Sequence, residues 1–183
     1  MKKIHALLFV TCFAFAACGG GGGTPPNQAD VDAAVNDFTS TGVEIANKLD
    51  ITDCASFNAS LAQFNGQPIN CDSGTIILSV VDSDCSDGPP FTASVTVALS
   101  ADQCEDSGFG TSTNGGINYE ITAAGVSGAI QASTSGVTVN GITFKFNDLG
   151  IQLPDNADPT CGGNVKANDA ECGVTNDCTA CNF

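Results

Sequence analysis

The first candidates for chemistry are three aspartates near the middle of the chain. Asp82, Asp84 and Asp87 fall in the stretch VDSDCSDGPP. Carboxylate oxygens at alternate loop positions are the ligands that calcium prefers, so the spacing favours a calcium site. The EF-hand pattern is not met, because Asp87 stands where that loop has glycine and no glutamate follows five residues after Gly88. The alternative is an acidic turn whose residues serve backbone geometry alone.

Eight cysteines form the second candidate set. Cys178-x-x-Cys181 has the spacing of a metal knuckle or a redox pair. The other two cysteines nearby, Cys161 and Cys172, lack that spacing, and no basic neighbour lowers the thiol pKa. An even number of cysteines in an exported chain instead predicts four disulfides. The cysteines concerned are Cys54, Cys71, Cys85, Cys104, Cys161, Cys172, Cys178 and Cys181.

One pairing of the first four cysteines has a geometric rationale. The turn SDGPP lies midway between Cys71 and Cys104, so a hairpin folded there places these two opposite each other at the open end. We therefore predict Cys71–Cys104, which leaves Cys54–Cys85. The rival set, Cys54–Cys71 with Cys85–Cys104, closes shorter loops.

The residue inventory restricts catalysis. The chain has no arginine and no tryptophan, and its single histidine, His5, lies in the N-terminal apolar region. The rest of the chain has no histidine. It therefore cannot supply a histidine general base, a Ser-His pair or a histidine ligand for a metal. A hydrolase with paired carboxylates is chemically possible, but no motif selects two acids. Lys145 alternates with Phe144 and Phe146, which places it on the solvated face. We predict that the protein is not an enzyme and needs no cofactor beyond the possible calcium.

The charge excludes another class of partner. The chain carries 20 Asp+Glu against 5 Lys+Arg, a formal net charge of −15. Since phosphate contacts depend on lysine and arginine, this balance is not that of a nucleic-acid-binding protein.

The N-terminus has the features of a secretory signal. Lys2 and Lys3 precede an apolar run from Ile4 to Phe15. That run is shorter than the roughly 20 residues of a membrane-spanning helix, which indicates a cleavable signal over residues 1–17.

The tetrad Phe15-Ala16-Ala17-Cys18 resembles the lipobox of bacterial lipoproteins. In that family the cysteine thiol carries diacylglycerol, the signal is cleaved before it and the new amine is acylated, which implies palmitate-type lipidation of Cys18. Phe15 departs from the usual Leu, Val or Ile. The alternative is an ordinary signal peptide that leaves Cys18 as a thiol or in a disulfide.

A flexible tether follows that cysteine. Residues 18–27 contain five glycines and then Thr-Pro-Pro, and such a segment suits a domain that stands off a membrane. Gly19 stands where, in this family, an aspartate commonly retains lipoproteins in the inner membrane. The resemblance therefore implies attachment to the outer membrane, on either its periplasmic or its surface-exposed side.

Two helices are predicted after the tether. Asn27 can cap the first, and an apolar stripe recurs at spacings of four and three along it. The Thr-Ser-Thr-Gly stretch at 39–42 predicts a kink or a split in this helix. Asp53 can cap a second helix, which Asn65-Gly66 would end. The first stripe is Val31, Val35, Phe38, Gly42, Ile45 and Leu49, and the second is Phe57, Leu61 and Phe64.

From about Gly74 the apolar period changes to two, which predicts strands. FTASVTVALS and INYEITA alternate apolar with polar residues, whereas GTIILSVV is apolar on both faces and reads as a central strand. Gly125 to Ser133 and Ser135 to Val139 read as two weaker strands. Asn140-Gly141 predicts a hairpin turn, and a shift of apolar parity predicts a bulge or a turn at Asn147-Asp148.

These elements predict an α+β domain over residues 28–153, followed by a disulfide-rich tail over 154–183. The helices would pack on one side of an antiparallel meander of six to seven strands. A small β-sandwich or barrel is the alternative. The function predicted is a non-catalytic, lipid-anchored envelope protein that contacts a protein or glycan partner through polar strand faces. An apolar-ligand carrier, with the sheet curled into a cup, is the second alternative.

Overall fold

A computed structural model describes residues 26–106, 111–125, 127–154, 158, 160–168 and 170–174. The predicted signal, Cys18 and most of the tether lie outside the described residues, as do Cys178 and Cys181. The side chain of Cys172 is not described either. Lipidation of Cys18 therefore stays a prediction.

The first helix, α1 (Gln28–Lys48), begins and packs as the sequence predicts. The Asn27 side chain accepts a hydrogen bond from the Ala29 N–H, and the predicted stripe is buried from Val31 to Ile45. The helix does not split at residues 39–42, because it is continuous from Gln28 to Lys48. The Thr39 hydroxyl donates back to the carbonyl of Val35 at 3.0 Å, so this polar side chain is satisfied within the helix.

The second helix, α2 (Cys54–Phe64), is capped by Asp53, whose carboxylate accepts the Ser56 N–H at 2.8 Å. Phe57 and Leu61 are buried. Asn65 ends the helix as predicted, and its side chain accepts the Val80 N–H at 2.9 Å. The end of α2 is thereby fastened to the strand beside it.

The described residues form nine antiparallel strands in one sheet. Strands β1 to β6 follow each other in the sheet, and β8 and β9 continue it beyond β6, with which β7 also pairs. The predicted number of six to seven strands is too low, because the tail adds three short strands to the sheet. The strands are β1 (Pro68–Asn70), β2 (Ser73–Ser86), β3 (Thr92–Asp106), β4 (Thr111–Ala124), β5 (Ser127–Val139), β6 (Ile142–Leu153), β7 (Thr160–Gly162), β8 (Asn164–Ala167) and β9 (Ala170–Gly173).

One face of the sheet, called the inner face, packs against both helices in a single core. The predicted inward residues of β3 and β4 are buried there, as are Phe144 and Phe146 of β6. Phe38 of α1 lies 5.3 Å, between ring centroids, from both of these phenylalanines. Two helices on one antiparallel sheet agree with the predicted α+β class. The inward residues of β3 and β4 are Val95, Val97, Leu99, Ile117, Tyr119 and Ile121.

The prediction that GTIILSVV is a central strand is wrong. It lies in β2, whose neighbours are β3 and the three-residue β1. Ile77 and Val81 are 42% and 63% exposed. The run is apolar on both faces, but the helices cover only the inner face. Coverage of a face by the helices, rather than local hydrophobicity, decides which of its residues are buried.

Residues 127–139 form one strand, β5, where the sequence predicts two. In β5 the register shifts between Ala132, Thr134 and Val137, and the Thr134 hydroxyl donates to the Gly116 carbonyl within this irregular stretch. The predicted bulge at Asn147-Asp148 is confirmed. Phe146 pairs with Thr134 and Leu149 with Ala132, so two residues of β6 oppose one residue of β5.

Two asparagines with positive φ end strand pairs in the same way. Asn140 (φ 50°) donates its N–H to the Ser112 carbonyl at 2.9 Å and accepts the Ser112 N–H at 2.8 Å through its side chain. Asn168 (φ 48°) makes the same two bonds with Thr143. Asparagine tolerates this conformation better than most residues, and each side chain extends the ladder by one step. The predicted turn at Asn140-Gly141 is confirmed.

Candidate binding surface on the outer face of the sheet

The face of the sheet that points away from the helices, called the outer face, is polar. Its side chains on β3 and β4 are the ones that alternation predicts to point outward, and each is partly or fully exposed. None of the elements in the described ranges contributes to a second layer on this side. These side chains are Thr92, Ser94, Thr96, Ser100, Asn118, Glu120 and Thr122.

Strand register arranges these side chains in rows across the sheet. Asp82 pairs with Thr96, Thr96 with Glu120, and Glu120 with Gln131. Directly paired residues on one face have Cβ atoms about 5 Å apart, so the row forms a continuous polar strip across four strands. The next row joins Asn118 to Ser133.

Two bulges enclose a shallow depression of about 390 Å³ on this face. Val81 is the extra residue where the β2 register shifts between Val80 and Asp82. Asn147 belongs to the β6 bulge on the other side. Bulges redirect side chains and are common beside functional sites. This outer depression is lined by Val81, Thr96, Asn118, Glu120, Gln131, Ser133 and Asn147.

The predicted calcium ligands lie near this surface but do not converge. Asp82 and Asp84 lie on β2, and the Asp82 carboxylate accepts the Ser83 N–H at 2.9 Å. Asp87 lies beyond the end of that strand, where its carboxylate accepts the Cys54 N–H at 2.7 Å. Within the described chain, Asp87 is grouped with Cys54 and Cys85 instead. Both sulfurs there are bonded to each other, so neither is a thiolate. Calcium binding by the three aspartates stays a prediction.

The predicted disulfides of the first cysteine group are confirmed. Cys71–Cys104 links the two strands at the open end of the β2–β3 hairpin. Cys54–Cys85 links the start of α2 to the closed end of that hairpin. Cys161 is also disulfide-bonded. The pairing in the tail stays a prediction.

The lysines near the outer face are few. Lys145 on β6 is exposed, as its position between two buried phenylalanines predicts, and it pairs in register with Lys166. Lys166 forms an ion pair with Glu171 at 3.2 Å. Neither lysine lines the outer depression.

Among the described residues, the carboxyl groups of Asp53 and Asp37 have shifted pKa values. Backbone and side-chain hydrogen bonds from Ser56 lower the pKa of Asp53. Loss of surrounding water raises the pKa of Asp37, although part of that side chain remains exposed. Burial raises the pKa of the Tyr119 phenol, and the nearby Asp37 carboxylate raises it further. Asp53 caps a helix, and Tyr119 and Asp37 lie at the contact between α1 and the sheet. We therefore assign these shifts to structure rather than to a reacting group.

Sequence reasoning found the polar outer face but not the outer depression. Alternation marks Asn118 and Glu120 as outward-facing. It does not show that Val81 and Asn147 enclose them, because that depends on where two distant bulges fall in the register. In the described residues, neither helix is long and apolar enough to span a membrane. Comparison with protein-family models, curated proteins and solved structures finds no match.

Proposed function

We propose that this protein is a non-catalytic, lipid-anchored protein of the bacterial outer membrane that binds a polar partner through the outer face of its sheet. The observation that carries this proposal is the exposed polar surface described above. Its side chains run in register over four strands and surround a depression, opposite a face that is fully used for the core. An exposed, ordered surface of this kind favours a binding role.

The disulfides support the exported half of the proposal. Disulfides persist in oxidising compartments such as the bacterial periplasm and the cell surface. Cys54–Cys85 and Cys71–Cys104 lie in the described domain, and Cys161 belongs to a third bond. Together with the lipobox-like tetrad ending at Cys18, they favour secretion followed by lipid anchoring. Several acyl chains would hold the domain stably, at about 0.8 kcal/mol per buried CH₂ group.

The carrier alternative has less support. An apolar ligand would need space on the inner face, and that face is filled by side chains. Tyr119, Phe144 and Ile130 are at most 1% exposed. α1 lies so close to the sheet that a Cβ atom on Gly42 would stand 3.0 Å from the Tyr119 ring. Holding a lipid there would require the helix to leave the sheet.

Photo-cross-linking in living cells tests the binding role. A diazirine amino acid replaces exposed Thr122, which lies on the outer face beside the depression, or Glu44, which is exposed on α1. We expect irradiation to yield a heavier species from the Thr122 position and not from Glu44. Equal yields from both positions, or none from Thr122, would contradict a partner on the outer face.

A further inference from the structure

We propose that the outer depression binds a sugar, either neutral or carrying an amine, and that it discriminates against sugars with a negative charge. This inference rests on the proposed function, because it names the ligand class of the same surface. Three properties of the depression support it: the hydrogen-bonding capacity of its lining residues, their charge and its shape.

The hydrogen-bonding groups match those of a sugar. Three amides line the depression, from Asn118, Gln131 and Asn147, and each can both donate and accept. The hydroxyls of Thr96 and Ser133 also do both. A sugar hydroxyl is likewise both a donor and an acceptor. On such a surface it can donate one hydrogen bond and accept another. A purely apolar ligand would leave these groups without partners.

The charge selects among sugars. Glu120 is the one charged residue of the lining, and Asp82 lies in the same row two strands away. A carboxylate accepts strong hydrogen bonds from hydroxyl or ammonium groups. It repels a uronate, sulfate or phosphate, and the lining has no lysine to offset that repulsion.

The shape fits a few rings rather than a broad interface. The volume of about 390 Å³ is near the lower end of the roughly 300–1,000 Å³ of small-molecule sites. Val81, 63% exposed on the rim, offers an aliphatic contact to the C–H groups of a ring. Protein interfaces are enriched in aromatic residues, methionine and arginine, and the lining has none of these. The small volume and this composition are those of a small-molecule site rather than of a broad protein interface.

The first test uses the full-length protein in detergent on an array of neutral, amino and acidic glycans of matched length. We expect binding to be confined to the neutral and amino classes. Binding to no glycan, or equal binding to acidic ones, would overturn the inference. If a protein is cross-linked at Thr122 but no glycan binds, the sugar inference is wrong and the binding role of the outer face remains. If there is neither a cross-link nor glycan binding, both the inference and the proposed binding role are wrong.

Calorimetry with the best-bound glycan then locates the site. Asn118→Ala removes one hydrogen-bonding side chain, and Glu120→Gln replaces the charged acceptor with a neutral amide. We expect each change to weaken binding by about 3- to 10-fold. The matched controls are Glu44→Gln on α1 and Asn114→Ala on the same strand outside the depression. We expect no change in either control. Equal losses in variants and controls would show that the glycan binds elsewhere.

Discussion

The phenol oxygen of Tyr119, near the middle of the sheet, donates a 3.0 Å hydrogen bond to the main-chain carbonyl of Phe38 in α1. The Tyr119 side chain is completely buried. Its ring also lies against Gly42, one turn further along the helix. A single residue of β4 thus fixes both the height and the axial position of α1 over the inner face.

Gly42→Ala should destabilise the protein, against the usual preference of helices for alanine. Helix propensity alone favours alanine by about 1 kcal/mol. The new Cβ atom, however, would lie 3.0 Å from the Tyr119 ring and 3.2 Å from Ile130. Overpacking of this kind costs about 1–3 kcal/mol. We expect a net decrease in the free energy of unfolding, measured in urea.

The control for that change is Ser40→Ala, which lies on the exposed side of the same helix. We expect its effect to stay within about 0.5 kcal/mol. A Gly42→Ala protein that is more stable than the wild type would mean that α1 can lift from the sheet at little cost. The carrier alternative would then regain support.

The two described disulfides should protect different parts of the fold. Replacing Cys54 and Cys85 by serine frees the start of α2, so amide hydrogen exchange should accelerate in that helix. Replacing Cys71 and Cys104 opens the far end of the β2–β3 hairpin and should leave α2 protected. The sequence separations are 31 and 33 residues, so the two losses of stability should be similar, at about 2–4 kcal/mol each.

The two double variants serve as controls for each other. Faster exchange in α2 for both, or for neither, would contradict the assignment of Cys54–Cys85 as the link that holds this helix. Loss of the folded state in either variant would be seen first as exchange throughout the sheet.

The cap of α2 should weaken in acid. The pKa of Asp53 is lowered from 3.8, so its contribution to stability is present above that value and lost as the pH falls through the lowered folded-state pKa. Asp53→Asn keeps a capping side chain but removes the titration. We expect the difference in melting temperature between wild type and variant to shrink as the pH is lowered from 7 to below 3.8. A pH-independent difference would contradict this.

The sequence predicts the elements that repeat a local pattern. Alternation marks both faces of β3 and β4, and the central position of the SDGPP turn leads to the correct pairing of Cys71 with Cys104. Asn27 and Asp53 are the caps that their residue types predict. In each case the physical cause lies within a few residues or within one hairpin.

Features that depend on distant pairing are missed. The apolar run of β2 does not reveal that only a three-residue strand lies beside it. The predicted boundary at residues 153/154 precedes β7 to β9, which continue the same sheet. The outer depression requires bulges in β2 and β6, which lie on opposite sides of three other strands. The local sequence pattern does not determine the register of strands that are far apart in the chain.

The claim on which the whole account depends is that the mature protein is exported, lipid-anchored and stabilised by disulfides. Intact mass spectrometry of protein extracted from bacterial membranes, before and after reduction, tests this claim directly. The account predicts a chain that begins at Cys18, carries acyl groups and gains about eight hydrogens on reduction, two for each of four disulfides. A chain without lipid would contradict the anchor, and a smaller gain would mean free thiols in the C-terminal cysteine group.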